Sequence, residues 1–194
     1  EGSVFIAGAA VQWLRDGLGL ISSAKESEQL AQQLPGNNGV YMIPAFTGLG
    51  APYWKPDVRG AVFGINRSTG PAEIVRAVLE SVCYQTHDLF VAMAADGVNP
   101  SSLRIDGGMA ANNWMVQFLA DILDLPVDRP KIMETTALGA AYLAGMQAGV
   151  FGSLDELSPK CQMDARFEPQ ITAHDRKRLL DGWHTAVQRV IAEI

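Results

Sequence analysis

Leu103-Arg104-Ile105-Asp106-Gly107-Gly108-Met109-Ala110-Ala111-Asn112-Asn113 runs directly into a segment that carries Trp114, Met115, Phe118, Leu119 and Ile122 at helical spacing. The first four residues predict a short strand, the glycine pair a tight turn, and the apolar row a buried helix face, all joined without a spacer. Further on, Leu125-Pro126-Val127-Asp128 predicts the next strand, and Ala137 to Gly149 a helix whose small residues permit close packing. Strand and helix alternate, which implies an α/β layered domain with a largely parallel or mixed sheet covered by helices.

The same alternation extends upstream. Val4 to Ile6 reads as the end of a strand, and Val11, Trp13, Leu14 and Leu18 recur at helical spacing from Gly8 to Leu20. Ser22, Ser23 and Glu26 form a capping pattern for a polar helix that stops at Pro35-Gly36-Asn37-Asn38-Gly39, a cluster with strong turn chemistry. Val40 to Ile43 then predicts a strand. The segment Pro44-Ala45-Phe46-Thr47-Gly48-Leu49-Gly50-Ala51-Pro52-Tyr53-Trp54 is too rich in Gly and Pro for a regular element, and its three aromatics predict a loop pinned to the core. Gly60 to Ile65 predicts a strand, and Ser68-Thr69-Gly70-Pro71 the start of a long helix. In that helix, rows Ile74, Val78, Val82 and Val75, Leu79, Cys83 form a broad buried stripe to about Met93. The last helix starts near Thr172 and Asp175 and buries Leu180, Trp183, Val187, Val190 and Ile194. With no internal repeat or low-complexity linker, residues 1–194 are read as one domain.

Composition excludes several function classes. Of the 194 residues, 48% are hydrophobic and 19% charged, which is enough to bury a sizeable core. The net charge of -6, with Arg176-Lys177-Arg178 as the basic cluster, argues against a nucleic-acid partner, which needs many phosphate-neutralising side chains on one face. Cys83 and Cys161 show neither disulfide-framework nor zinc spacing, so a reducing cytoplasm is expected. Thr135 to Gly152 is too weakly apolar for a bilayer span of about 20 residues and predicts a packed helix instead. The chain opens on Glu1 without a signal-type pattern and is expected to begin inside a longer protein.

Chemistry can be sought at few places. Glycines 107 and 108, between a strand and a helix, let a ligand approach the backbone and meet N–H groups at the helix start, so a nucleotide is a natural occupant of the site. A plain tight turn with Asn112 as helix cap is the alternative, and spacing alone leaves both open. The pattern lacks the G-x-G-x-x-G of dinucleotide-binding folds. Gly8 and Gln12 lie one helical turn apart, which would set the Gln12 amide beside whatever touches the Gly8 backbone. His87, His174 and His184 fall on predicted helices without a partner at ligand or triad spacing, and are expected to be solvated or capping. No G-x-S-x-G, H-E-x-x-H or G-x-x-x-x-G-K-[ST] occurs, leaving serine hydrolase, zincin and P-loop chemistry without support.

Gly60-x-Val62-x-Gly64-Ile65 followed after seven residues by Glu73-Ile74-x-x-Ala77-Val78-Leu79-Glu80 resembles the second signature of the FGGY carbohydrate kinase family. The loop from Pro44 to Trp54, with Arg59-Gly60 after it, is similar to the glycerol kinase subgroup rather than to xylulokinases or gluconokinases. The resemblance covers essentially the whole chain. It implies an actin-like ATPase, ribonuclease-H-like α/β domain, a mixed sheet flanked by helices. This would be the C-terminal, nucleotide-binding member of two domains that close over ATP, Mg²⁺ and glycerol. By motif match, Gly8 and Gln12 would line the nucleotide site, and Gly108 and Asn112 would contact the adenosine portion.

The family's catalytic aspartate belongs to a Gly-Asp-Gln-Gln segment with no counterpart here, so the resemblance implies no catalytic residue and no metal ligand in this chain. Phosphoryl transfer rests on positioning, metal neutralisation and an oriented nucleophile, so these residues alone are expected to hold ATP or ADP without glycerol-dependent turnover. The full-length protein is expected to be a cytoplasmic homo-oligomer. Two residues depart from the usual pattern: Lys55 stands where an acidic residue is common, and Met109 where a smaller one is. Another polyol or sugar as substrate, or a non-catalytic nucleotide-binding module of the actin-like superfamily, are the competing readings.

Overall fold

The computed structural model describes residues 3–157 and 162–192, so Cys161 and Ile194 lie outside the described residues. Among the described residues, helices α1 (Gly8–Gln12), α2 (Ala24–Gln32), α3 (Pro71–Ala95), α4 (Asn113–Leu123), α5 (Thr135–Gln147), α6 (Leu154–Leu157) and α7 (Ala173–Ala192) are interleaved with five short strands. The strands β1 (Tyr41–Ile43) and β2 (Ala61–Phe63) form an antiparallel ribbon in which Tyr41 pairs Phe63 and Ile43 pairs Ala61. The others, β3 (Leu103–Arg104), β4 (Val127–Pro130) and β5 (Met163–Phe167), form a mixed sheet in the order β3-β4-β5, parallel between β3 and β4 and antiparallel between β4 and β5.

The capping signals act as written. Ser23 Oγ accepts from the Glu26 N–H, while Glu26 reaches back to accept from the Ser22 N–H at 2.7 Å, which closes the first turn of α2. Pro71 opens α3 and Glu73 accepts from the Gly70 N–H at 2.9 Å. Thr172 Oγ1 accepts from the Asp175 N–H at the start of α7. The left-handed Asn38 and Gly39 turn the chain into β1.

Helix α3 is the centre of the molecule and packs on α2, α4 and β1. Its buried Leu79, Cys83 and Tyr84 join Val116, Leu119 and Ile122 of α4 in the main core, where each fully buried aliphatic side chain contributes roughly 1.5–3 kcal/mol. Trp183 of α7 is fully buried and stacks on Tyr84 at 5.3 Å between ring centroids, which seats α7 over the core. On the other side of α3, Val75, Ala77 and Val78 meet Ala10 and Leu14 of the N-terminal segment and Met42 of β1. The α4 crossover carries the chain from β3 to the parallel β4.

Four expectations need correction. Val4 to Ile6 is no strand, because it finds no pairing edge among the described residues. The helix from Gly8 loosens into a π-turn over Trp13–Gly17. A 3₁₀ turn, Gly108–Ala111, stands between the glycine pair and α4. Helix α5, expected to be closely packed, has no buried residue, and Leu143 is exposed, because its small side chains are spread around all faces and give no apolar stripe. Strand β5 was not foreseen: Met163-Asp164-Ala165-Arg166-Phe167 alternates, but its charged residues obscure the signal. The loop from Pro44 to Trp54 is pinned as expected, with Phe46 against Trp13 and Leu49 paired to Lys55 through their backbones, although Trp54 itself is exposed.

Candidate functional site

The turn after β3, the start of α1 and the first turns of α2 enclose a cleft of about 850 Å³. All four residues singled out from sequence line it: Gly8 and Gln12 on one wall, Gly108 and Asn112 on the other. Residues a hundred positions apart are thus brought together by the packing of α2 on α4 and of α1 on α3.

The glycines border open space. A Cβ built on Gly108 would meet no atom within 4 Å, and one on Gly8 would meet only the Met109 side chain, at 4.0 Å. Neither position needs glycine for the fold's own packing, unlike Gly107, whose φ of 81° lies in the left-handed region. What a side chain at Gly108 would occupy is the cleft itself. Met109, the departure noted in the sequence, lies over Gly8 and joins the two walls.

Asn112 is already employed. Its Oδ1 accepts from the Met115 N–H at 2.9 Å as the N-cap of α4, and its Nδ2 donates to Ser27 Oγ at 3.3 Å. Ser27 is buried and donates in turn to the Ala24 carbonyl. Glu28 accepts from the Asn113 N–H at 3.1 Å. The expectation that helix N–H groups face a ligand is corrected here: those of Asn113 and Met115 are consumed by Glu28 and Asn112. Approach to the turn backbone survives, and Asn112 takes the capping role and a wall position together. Arg129 holds the turn from behind, donating to the Ala110 carbonyl at 3.0 Å and to Asn113 Oδ1 at 2.8 Å while pairing with Asp164.

Sequence reasoning missed Arg15, Lys25, Ser27 and Glu28, which line the cleft together with Asp106, the first residue of the glycine-turn motif. Arg15 is held by Asp16 at 2.7 Å, which keeps the guanidinium at the rim. Exposed charged residues on helices carry no local signal that tells a cleft rim from an ordinary solvated face. A second cavity of about 380 Å³ lies between the β3–β4 edge and α5, lined by Ile105, Lys131, Thr135 and Tyr142 among others, and shares Asp106 with the first.

The histidine expectation is also corrected. Helices α3 and α7 place His87 and His184 on the same carboxylate, Asp88: His184 Nε2 is 3.0 Å and His87 Nδ1 3.8 Å from Asp88 Oδ1. Tyr53 and Trp183 donate to Asp88 Oδ2, each at 2.7 Å. Burial pushes the Asp88 carboxyl up, but His184, His87, Trp183 and Tyr53 outweigh it and hold the group at about 2. Only the tertiary packing of α7 creates this cluster; His174 stays exposed, as expected.

Comparison with known proteins follows the same lines. The profile described as "FGGY family of carbohydrate kinases, C-terminal domain" matches residues 1–148. A glycerol kinase of Rhodospirillum centenum is 60% identical over 189 residues, covering 97% of this chain and 38% of that protein. Glycerol kinase 1 of Pseudomonas aeruginosa is 58% identical over 193 residues, covering 100% of this chain and 39% of its own length. The chain therefore spans somewhat over a third of the length of these relatives. Among solved structures, Plasmodium falciparum glycerol kinase with ADP superposes with a TM-score of 0.84 at 34% identity, over 94% of this chain and 37% of that one. A ligand-bound xylulose kinase from Lactobacillus acidophilus superposes at 0.80 with 23% identity, over 95% of this chain and 38% of that one, a likeness of fold. The actin-like, ribonuclease-H-like α/β fold expected from the sequence is the fold of these kinases. From the profile match over most of its length, and from the fold, the chain belongs to the FGGY family of carbohydrate kinases.

Proposed function

We propose that the cleft between Gly8 and Gly108 holds the adenosine part of ATP or ADP, and that this chain is the nucleotide-binding domain of a protein that transfers the γ-phosphoryl group to glycerol, giving ADP and sn-glycerol 3-phosphate. The observation that carries the reading is that two glycines face each other across one cleft, with space beside Gly108 that no protein atom fills. The relative solved with ADP and the glycerol kinases of higher identity supply the choice of ligand and acceptor.

The division of labour follows from the side chains. Gly108 and Gly107 give a flat backbone surface to a planar base, Asn112 holds that surface at the start of α4, and Gln12 offers an amide from the opposite wall. Lys25 and Arg15 place positive charge at the rim, where a polyphosphate would leave the cleft. Mg²⁺ would be held largely by phosphate oxygens and water. Of the carboxylates lining the cleft, Glu28 is committed to Asn113, leaving Asp106 as the one that could face a hydrated ion. The base that takes the acceptor proton, and the glycerol contacts, belong in this reading to the rest of the full-length protein, a cytoplasmic homo-oligomer.

The test is calorimetric titration of the full-length protein with Mg-ADP. Gly108→Val, whose Cβ meets no protein atom, is expected to keep the fold and lower ADP affinity at least about tenfold, or ~1.4 kcal/mol. Gln12→Ala should weaken binding without changing stability. Asn112→Ala should weaken binding and also lower stability by about 1 kcal/mol through the lost cap. Unchanged affinity in a folded Gly108→Val protein would place the nucleotide elsewhere.

A further inference from the structure

We propose that His87, Asp88 and His184 form a binding site for one late first-row divalent cation, with Zn²⁺ as its representative, that clamps α7 to α3. The three candidate ligand atoms, His87 Nδ1, Asp88 Oδ1 and His184 Nε2, lie within 4.8 Å of one another. In a tetrahedral zinc site with bonds of 2.0–2.1 Å, neighbouring ligand atoms are about 3.3 Å apart. The separations to the carboxylate, 3.0 Å for His184 and 3.8 Å for His87, bracket that value, and the one between the two imidazoles is no more than 4.8 Å, so side-chain rotations that bring the rings together complete the geometry.

Three further features support a cation. His87 Nδ1 is buried without a hydrogen-bond partner, although buried ring nitrogens are ordinarily satisfied. Asp88 is anchored through its other oxygen by Tyr53 and Trp183, which fixes the plane of the carboxylate and turns Oδ1 toward both imidazoles, as outer-shell donors do around metals. His184 is 47% exposed, so an ion has a route in and a fourth position is left for water. Two imidazoles and one carboxylate select zinc, nickel or copper over Mg²⁺, which prefers oxygen ligands. The cation replaces the proton that His184 shares with Asp88. The three residues line neither cavity, so the site lies apart from the proposed nucleotide cleft.

Equilibrium dialysis of the full-length protein against Zn²⁺, with Co²⁺ as a spectroscopic probe, tests this. The wild-type protein is expected to bind one equivalent more than either His184→Ala or His87→Gln, and to show visible d–d absorption with Co²⁺ that both variants lack. Tyr53→Phe should keep the equivalent but lower its affinity about tenfold, since it loosens the carboxylate without removing a ligand. Equal stoichiometry and equal Co²⁺ spectra for the wild-type protein and His184→Ala would overturn the proposal and leave the cluster a plain hydrogen-bond hub. The exposed side chain of His184 makes that variant safe for folding.

Discussion

Gly64→Ala is expected to destabilise the protein by about 2–5 kcal/mol, combining ~1–2 for a left-handed backbone with ~1–3 for overpacking. Gly64 follows β2 with φ of 82°, and a Cβ there would collide with the Gly39 carbonyl oxygen and fall 3.2 Å from Val40 Cα. The obstacle is backbone, so no side chain can rotate away. Relief would require moving the turn that leads into β1, and β1 packs on α3 and α7. Urea unfolding followed by tryptophan fluorescence measures the loss, with Gly108→Ala as control, since its Cβ meets nothing and its φ is not left-handed. A change within ~0.5 kcal/mol of wild type for Gly64→Ala, the usual range for surface positions, would show that the ribbon shifts freely.

Removing the Glu80 carboxylate is expected to cost about 3–5 kcal/mol, because Glu80→Ala leaves a buried guanidinium uncompensated. Glu80 is fully buried, accepting from Arg76 Nε at 2.7 Å and from the Tyr84 hydroxyl at 2.8 Å. Arg76 is also nearly buried, donates to the Leu34 carbonyl at 2.6 Å and lies 4.9 Å from the centre of the Trp114 ring. It thereby ties the end of α2 to α3 and α4. Burial pushes the Glu80 carboxyl up and Arg76 and Tyr84 only partly offset it, so the pair depends on its own partners rather than on water. The paired replacement Arg76→Met with Glu80→Leu should recover most of the loss, because it leaves no orphaned charge. A double-mutant cycle built from Arg76→Met, Glu80→Leu and their combination decides the matter: if the two single losses add up to the loss of the pair, the ion pair has no special weight.

These two cases show what kind of information the sequence held. Gly64 and Glu80 were legible as members of a family pattern before any contact was known, but the reasons for them, the Gly39 carbonyl and the Arg76 guanidinium, came from tertiary packing. Element types were readable wherever a local rule operates: the Ser23 and Glu26 cap, Pro71 at the start of α3, the apolar rows of α3 and α4. Reading failed where pairing or packing decides. Val4 to Ile6 has strand-like side chains but no partner edge, β5 hides behind Asp164 and Arg166, and α5 looked packable although no apolar stripe exists to bury.

The candidate site divides in the same way. Gly8, Gln12, Gly108 and Asn112 were nominated by motif, and the structure sets all four on one cleft. Its rim residues Arg15 and Lys25 carry no signature, and the apposition of His87 with His184 spans 97 positions, which no spacing rule reaches. By itself the sequence determined the α/β alternation, the helix starts and the family, because these rest on local backbone preference and on periodic burial. The tertiary structure alone decided the cleft, the buried Arg76–Glu80 pair and the histidine cluster on Asp88, because each depends on how separate elements meet, and the free energy of such contacts belongs to no single segment of the chain.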